Sequence, residues 1–142
     1  MRAGGEVSLR RPTTFCELRA AFVAMAGRRL ATFRVVHYSV QRDHVHLVVE
    51  AADKTALARG MQGLAIRLAR AANRARRGRG RVWTDRYHAR PLASPRAVRN
   101  ALVYVMFNHR KHGHQAHVLD PCSSIAWFDG LAEVPVEFLD PG

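Results

Sequence analysis

Two histidines separated by a single residue, His44 and His46, are the side chains in this sequence best suited to bind a metal. Side chains along a β-strand point alternately to its two faces, so a strand through both residues would place the two imidazoles side by side. Imidazoles suit divalent ions, and the lack of cysteine ligands favours a hard or borderline ion, Mg²⁺ or Mn²⁺, over structural zinc. The alternative is a solvated sheet face that carries two polar residues and binds nothing.

A tyrosine and an asparagine, Tyr104 and Asn108, follow one another at helical spacing. Residues four apart share one face of a helix. A tyrosine hydroxyl, whose usual pKa is about 10, attacks a phosphate well only when that phosphate is polarised. Together with the histidine pair, the spacing predicts Tyr104 as a nucleophile and Asn108 as a third metal ligand. The alternative is a tyrosine at the sheet edge with its hydroxyl in water; Tyr38 and Tyr87 are rival nucleophiles without an asparagine one helical turn away.

The positive charge is concentrated in the middle of the chain. The net charge is +12, and residues 54–119 contain fifteen Lys and Arg and one acid, whereas residues 120–142 contain five acids and neither Lys nor Arg. This distribution is typical of a surface that binds a polyanion such as DNA; a coding bias toward arginine is the alternative. The residues that we expect to contact DNA are Arg67, Arg70, Arg74, Arg77, Arg86, Tyr87 and Lys111.

The elements that must position these residues follow from hydrophobic periodicity and capping. Alternation predicts an antiparallel hairpin of strands 33–40 and 44–50, with both histidines on the face away from the main apolar row. Helices are predicted over residues 14–29 with Thr14 as N-cap, over 54–74 with Asp53 as N-cap, and from Ser94-Pro95 to residue 112. A weak pattern predicts a short strand over residues 7–9, and a further strand is predicted over residues 82–92.

Length and composition favour a single globular domain. A chain of 142 residues can bury one modest core. We expect a domain over residues 1–118 and an acidic tail over 119–142 that wraps the body loosely. The sequence contains neither an apolar run that could span a membrane nor a secretory signal, and its two cysteines are far apart. These features favour a cytoplasmic, nucleoid-associated protein with reduced thiols and no membrane partner.

Five segments of the chain resemble the single-tyrosine HUH transposases, in their REP-associated branch. The resemblance covers roughly residues 30–113, and the matching segments are residues 33–40, 43–50, 59–64, 85–89 and 99–108. It implies an α+β fold, a ferredoxin-like antiparallel sheet packed by helices on one face. By position, His44 and His46 match the metal ligands, Tyr104 matches the nucleophile and Asn108 matches the third ligand.

The same resemblance implies an activity. Such an enzyme binds single-stranded or hairpin DNA at repeat ends, and cleaves and rejoins one strand through a 5′-phosphotyrosine with Mg²⁺ or Mn²⁺; a homodimer is one expected state. The first strand of the family is longer than residues 6–9, which are all that corresponds here. A shortened, catalytically inactive or domesticated DNA-binding relic is therefore the alternative function.

Overall fold

A computed structural model describes residues 1–5, 7–27, 32–107 and 119–125. The elements in chain order are helix α1 (Pro12–Gly27), strand β1 (Phe33–Val40), strand β2 (Val45–Ala51), helix α2 (Lys54–Arg76) and helix α3 (Pro95–Phe107). The fold class is α+β with an antiparallel sheet and helices packed against it, as expected. None of the described helices is both long and apolar enough to cross a membrane.

The hairpin of β1 and β2 is the centre of the fold and was predicted correctly. Its strands are rich in β-branched and aromatic residues, which suit a pleated, half-buried surface. The antiparallel register pairs Tyr38 with Leu47 and Ser39 with His46, and it shifts at a bulge between Val35 and His37. This register fixes which side chains of β1 lie beside the histidines.

The row of residues beside β2 comes from the very start of the described chain. Isolated bridges join Arg2 to His44 and Ala3 to Trp83, and the backbones of Met1 and Val45 exchange hydrogen bonds. The strand predicted over residues 7–9 is wrong, because that segment turns into the core instead of pairing. The strand predicted over residues 82–92 is also wrong, since only the single bridge at Trp83 forms there.

Helices α1 and α2 pack together on one face of the hairpin. The core that they form includes Leu18 and Phe22 of α1, Leu64 and Leu68 of α2, and Val45 of β2, all buried. The residues that α2 buries are Met61, Leu64, Leu68, Ala71 and Ala72. Burial of these apolar side chains is the main source of stability for a domain of this size.

Helix α3 covers the opposite face of the hairpin. Val48 is buried there, as are Val105 and Met106 of α3, and none of the three belongs to the core between α1 and α2. Because side chains alternate along a strand, Val48 shares its face with His46. The resemblance implied helices on one face; α1 and α2 lie on that face, and α3 lies on the other.

Two of the three predicted helix starts are confirmed. The Asp53 side chain accepts a hydrogen bond from the Ala56 N–H at 2.7 Å, and the Ser94 hydroxyl accepts one from the Ala97 N–H at 3.1 Å. Helix α1 begins at Pro12 rather than after Thr14, because proline suits the first turn, where its missing N–H would have no partner. The predicted end of the last helix, at residue 112, lies outside the described residues.

Residues 119–125, assigned in the sequence to a loose tail, pack closely against β1. Asp120 is almost fully buried, and its carboxylate forms a bidentate pair with Arg10 at 2.9 and 2.7 Å. A further bridge joins Ser123 to Ser39. The domain boundary at residue 118 stays a prediction, but residues 119–125 belong to the folded body.

Candidate active site

The side chains of His44 and His46 meet on the α3 face of the hairpin. Their Nε2 atoms lie 3.1 Å apart, and the rings are nearly perpendicular, with centroids 4.7 Å apart. Strand β2 produces this arrangement, since Val45 and Leu47 turn into the core while His46 turns the other way. The two nitrogens are placed to act on one common atom or ion.

Asp43, in the turn just before β2, holds the first histidine. Its Oδ1 lies 2.7 Å from Nδ1 of His44, and its Oδ2 accepts a hydrogen bond from Nη1 of Arg2 at 2.9 Å. The hydrogen bond to His44, aided by the charges of His44 and Arg2, holds the pKa of the Asp43 carboxyl below its ordinary value against a weaker opposing effect of burial. The carboxylate therefore bridges the N-terminal segment and the histidine pair.

Tyr104 reaches the same site from α3, the helix that covers this face of the hairpin. Its ring centroid lies 5.1 Å from that of His46, with the rings almost perpendicular, and 46% of its surface is exposed. The buried neighbours Val105 and Met106 anchor the helix to the sheet and leave Tyr104 at the rim. The fold thus brings together three of the four residues predicted for catalysis and metal binding, and leaves the tyrosine accessible to a ligand.

His44 and His46 would hold a divalent ion through their Nε2 atoms. These atoms lie 3.1 Å apart, close to the separation of about 3 Å expected for two adjacent ligands of an octahedral ion. Within the described ranges, no group of three His, Cys, Asp or Glu side chains could hold a metal. An additional ligand of another type is needed, and Asn108, the predicted one, lies outside the described residues.

The rival tyrosines are placed differently. Tyr38 is buried against the core and stacked on Phe22, with ring centroids 4.1 Å apart. Burial raises the pKa of the Tyr38 hydroxyl, so it ionises less readily than an ordinary tyrosine. Tyr87 is half-buried and packs against the core cluster. Tyr104 is more exposed than either of them and also contacts His46.

The arginines predicted on the second helix lie across the sheet from this site. Helix α2 packs on the face that carries Val45, opposite His46. Arg70 is exposed and Arg67 is half-buried, while the Nε of Arg74 pairs with Glu17 at 3.2 Å. DNA that touched both these arginines and the histidine pair would have to pass around an edge of the hairpin.

The other predicted DNA contacts are scattered. Arg77 ends α2 in a left-handed conformation with φ 51°, and Arg86 is exposed in the segment that follows. Lys111 lies outside the described residues. On the helix of the tyrosine itself, Arg96 and Arg99 are exposed, and neither was predicted as a DNA contact.

Sequence reasoning also missed the roles of Asp43 and Arg2. Asp43 is not among the predicted site residues, although a carboxylate directly before a candidate metal-binding histidine is itself a signal. Arg2 carried no signal, because its contact with Asp43 depends on the chain start lying beside β2.

A comparison with protein families finds that residues 18–106 match the family described as IS200-like transposases. The matched segment includes the hairpin with both histidines, the whole of α2 and the part of α3 that carries Tyr104. Comparisons with curated proteins and with solved structures gave no match.

Proposed function

Because this chain belongs to the family of IS200-like transposases, we propose that it binds single-stranded or hairpin DNA and cleaves and rejoins one strand through Tyr104. The observation that carries the proposal is the contact between Tyr104 and His46, whose ring centroids are 5.1 Å apart. Two elements far apart in the sequence converge there, and they bring a phenol, which can act as a nucleophile, beside two imidazoles, which can bind a metal.

The metal would be Mg²⁺ or Mn²⁺, held by His44, His46 and Asn108. When bound, such an ion polarises the scissile phosphate and stabilises the charge that develops on it. The supporting geometry is the 3.1 Å separation of the two Nε2 atoms. Asn108 is assigned by its spacing from Tyr104, four residues further along the chain.

The reaction exchanges one phosphate ester for another. The phenolic oxygen of Tyr104 forms a bond to the scissile phosphorus, the bond from phosphorus to the 3′ oxygen breaks, and the phenolic proton is balanced by one gained on that 3′ oxygen. The products are a 5′-phosphotyrosine and a free 3′-hydroxyl. Attack by a 3′-hydroxyl on the phosphotyrosine reverses the exchange and rejoins a strand, so no nucleotide cofactor is consumed.

DNA binding would use the basic surface of the middle of the chain. The arginines of α2, Arg86 with Tyr87, and Lys111 are proposed to contact phosphates or unpaired bases. Arg96 and Arg99 join this set because they are exposed on the helix that carries Tyr104. Their charge lies on the side of the sheet where the strand would be cut.

The direct test is a covalent adduct. The protein is incubated with a labelled hairpin oligonucleotide and Mn²⁺, and an SDS-stable complex is sought and its linked peptide located by mass spectrometry. We expect an adduct on Tyr104 that disappears in Tyr104→Phe, because that change removes only the hydroxyl. DNA binding should survive the substitution, since the ring and the helix remain.

A control variant and the possible outcomes separate the alternatives. Tyr38→Phe removes a hydroxyl from a buried tyrosine of the same chain and should leave the adduct intact. An adduct on Tyr87 or Tyr38, or full activity in Tyr104→Phe, would overturn the mechanism. DNA binding with no adduct under any metal condition would identify the chain as an inactive DNA-binding member of its family.

A further inference from the structure

We propose that Asp43 is a positioning residue. Its carboxylate accepts the Nδ1–H of His44, so that the Nε2 lone pair of His44 faces His46, and Arg2 holds Asp43 in turn. The inference deepens the proposed function, since it concerns how the same histidine pair is prepared for a metal. Its core, however, is a statement about the metal-free protein and can be tested there.

The proton assignment follows from the contact between Asp43 and His44. An ionised carboxylate can only accept hydrogen bonds, and its Oδ1 lies 2.7 Å from Nδ1 of His44. Nδ1 must therefore carry the proton. In a neutral imidazole the other nitrogen then has a free lone pair, and that nitrogen is the one 3.1 Å from His46.

Arg2 and the backbone around it fix the carboxylate. Nη1 of Arg2 donates to Oδ2 of Asp43 at 2.9 Å, so each carboxylate oxygen has its own partner. The Ala3 N–H donates to the carbonyl of Asp43 at 2.6 Å, and the backbone of Arg2 forms an antiparallel β-bridge with that of His44. The N-terminal segment therefore lies beside the site. It contacts the backbone of Asp43 through Ala3 and the carboxylate of Asp43 through Arg2.

The exposure of this pair favours a role in orientation over a role in stability. The side chains of Arg2 and Asp43 are 58% and 44% exposed, and exposed ion pairs add little to the free energy of folding. Metal-binding histidines commonly donate their second ring N–H to a carboxylate, and removing that partner typically weakens metal binding about 10–100-fold. Asp43 has the geometry of such a partner.

The first experiment determines the tautomer without metal. Histidine ring nitrogens of ¹⁵N-labelled protein are recorded by two-bond proton–nitrogen correlation, at a pH well above the usual histidine pKa of about 6.5. The His44 signals are identified by their loss in His44→Gln. We expect His44 of the parent protein to be protonated on Nδ1, and to lose that preference in Asp43→Ala.

The second experiment measures Mn²⁺ binding by titration calorimetry. Asp43→Ala should weaken it about 10–100-fold, and Arg2→Gln should weaken it less, because Arg2 acts only through Asp43. The matched control is Glu50→Gln, which removes an acid from an exposed ion pair with Arg34 on the same hairpin and should change neither the tautomer nor the affinity.

The tautomer of His44 tests the role of Asp43, whereas Mn²⁺ binding tests the proposed metal site. Protonation of His44 on Nε2 in the parent protein, or an unchanged tautomer in Asp43→Ala, overturns the inference even if the enzyme is active. If the parent protein binds no Mn²⁺, the proposed metal site fails, and the tautomer still decides whether Asp43 positions His44. Should Asp43→Ala not fold, Arg2→Gln supports the inference if it shifts the tautomer partway and overturns it if the tautomer is unchanged.

Discussion

Replacing Gly60 by alanine should destabilise the protein, whereas the same substitution at Gly63 should stabilise it. Both glycines lie inside α2. A Cβ added to Gly60 would overlap the ring of Phe33, which is buried at the start of β1. A Cβ added to Gly63 meets nothing within 4 Å. The two glycines thus lie in the same helix and differ in their surroundings: Gly60 faces the Phe33 ring, and Gly63 faces open space.

The expected magnitudes come from two opposing effects. Alanine is favoured over glycine in a helix interior by about 1 kcal/mol, which sets the gain at Gly63 to roughly 0.5–1 kcal/mol. At Gly60 the overlap must be relieved by moving the Phe33 ring or the helix, at a cost of about 1–3 kcal/mol. The net loss there is about 1 kcal/mol, so the two variants should differ by about 2 kcal/mol, or roughly 6–8 °C in melting temperature.

The assay is urea denaturation and thermal unfolding of both variants beside the parent protein. A Gly60→Ala variant that is as stable as Gly63→Ala would refute the close packing of α2 on Phe33. The double variant Gly60→Ala/Phe33→Leu tests the cause, because the smaller side chain leaves room for the added methyl group. It should lose less stability than the two single changes summed.

Three further predictions concern the pair of Arg10 with Asp120, the arginines of α2 and the start of α3. Arg10→Met should destabilise the fold by about 3 kcal/mol, near the low end for breaking a buried pair, because Asp120 stays buried while Arg10 is 21% exposed. Arg70→Ala should lower the slope of log affinity for single-stranded DNA against log salt by about 0.7, and Arg74→Ala by less, because Glu17 already pairs with it. Ser94→Ala should cost about 1 kcal/mol through the lost cap of α3.

Each of these has an outcome that contradicts it. If Arg10→Met unfolds at the same denaturant concentration as the parent, the pair with Asp120 adds nothing to stability. Equal slopes for the Arg70 variant and the parent would mean that α2 presents only a solvated face. A Ser94→Ala protein that melts like the parent would mean that the start of α3 contributes nothing to the stability of the fold.

Local patterns in the sequence were enough to predict the elements that carry the site. Alternation around His44 and His46 predicted a hairpin, because residues on one face of a strand recur with a period of two. Asp53 and Ser94-Pro95 predicted the starts of α2 and α3, since a cap depends only on the few residues around it. The spacing of Tyr104 and Asn108 paired this helix with the histidines, the family resemblance implied the same pairing, and the contact of Tyr104 with His46 agrees with it.

Those local patterns could not predict contacts between segments that are distant in the sequence. No period or spacing shows that residues 1–4 lie beside β2, so the short strand was misplaced at residues 7–9, and the pairing of Arg2 with Asp43 went unseen. The position of α3 on the opposite face from α1 and α2 is equally invisible, because its apolar residues suit either face of a sheet.

The sequence by itself determined which residues could do the chemistry and on which element each one lies. Only the tertiary structure decided which of them meet. Tyr104 reaches His46, while the arginines of α2 lie across the hairpin. The physical reason is that the periodicity of strands and helices arises from the geometry of adjacent peptide units. Whether two elements meet depends instead on which side of the sheet each one packs its apolar face against.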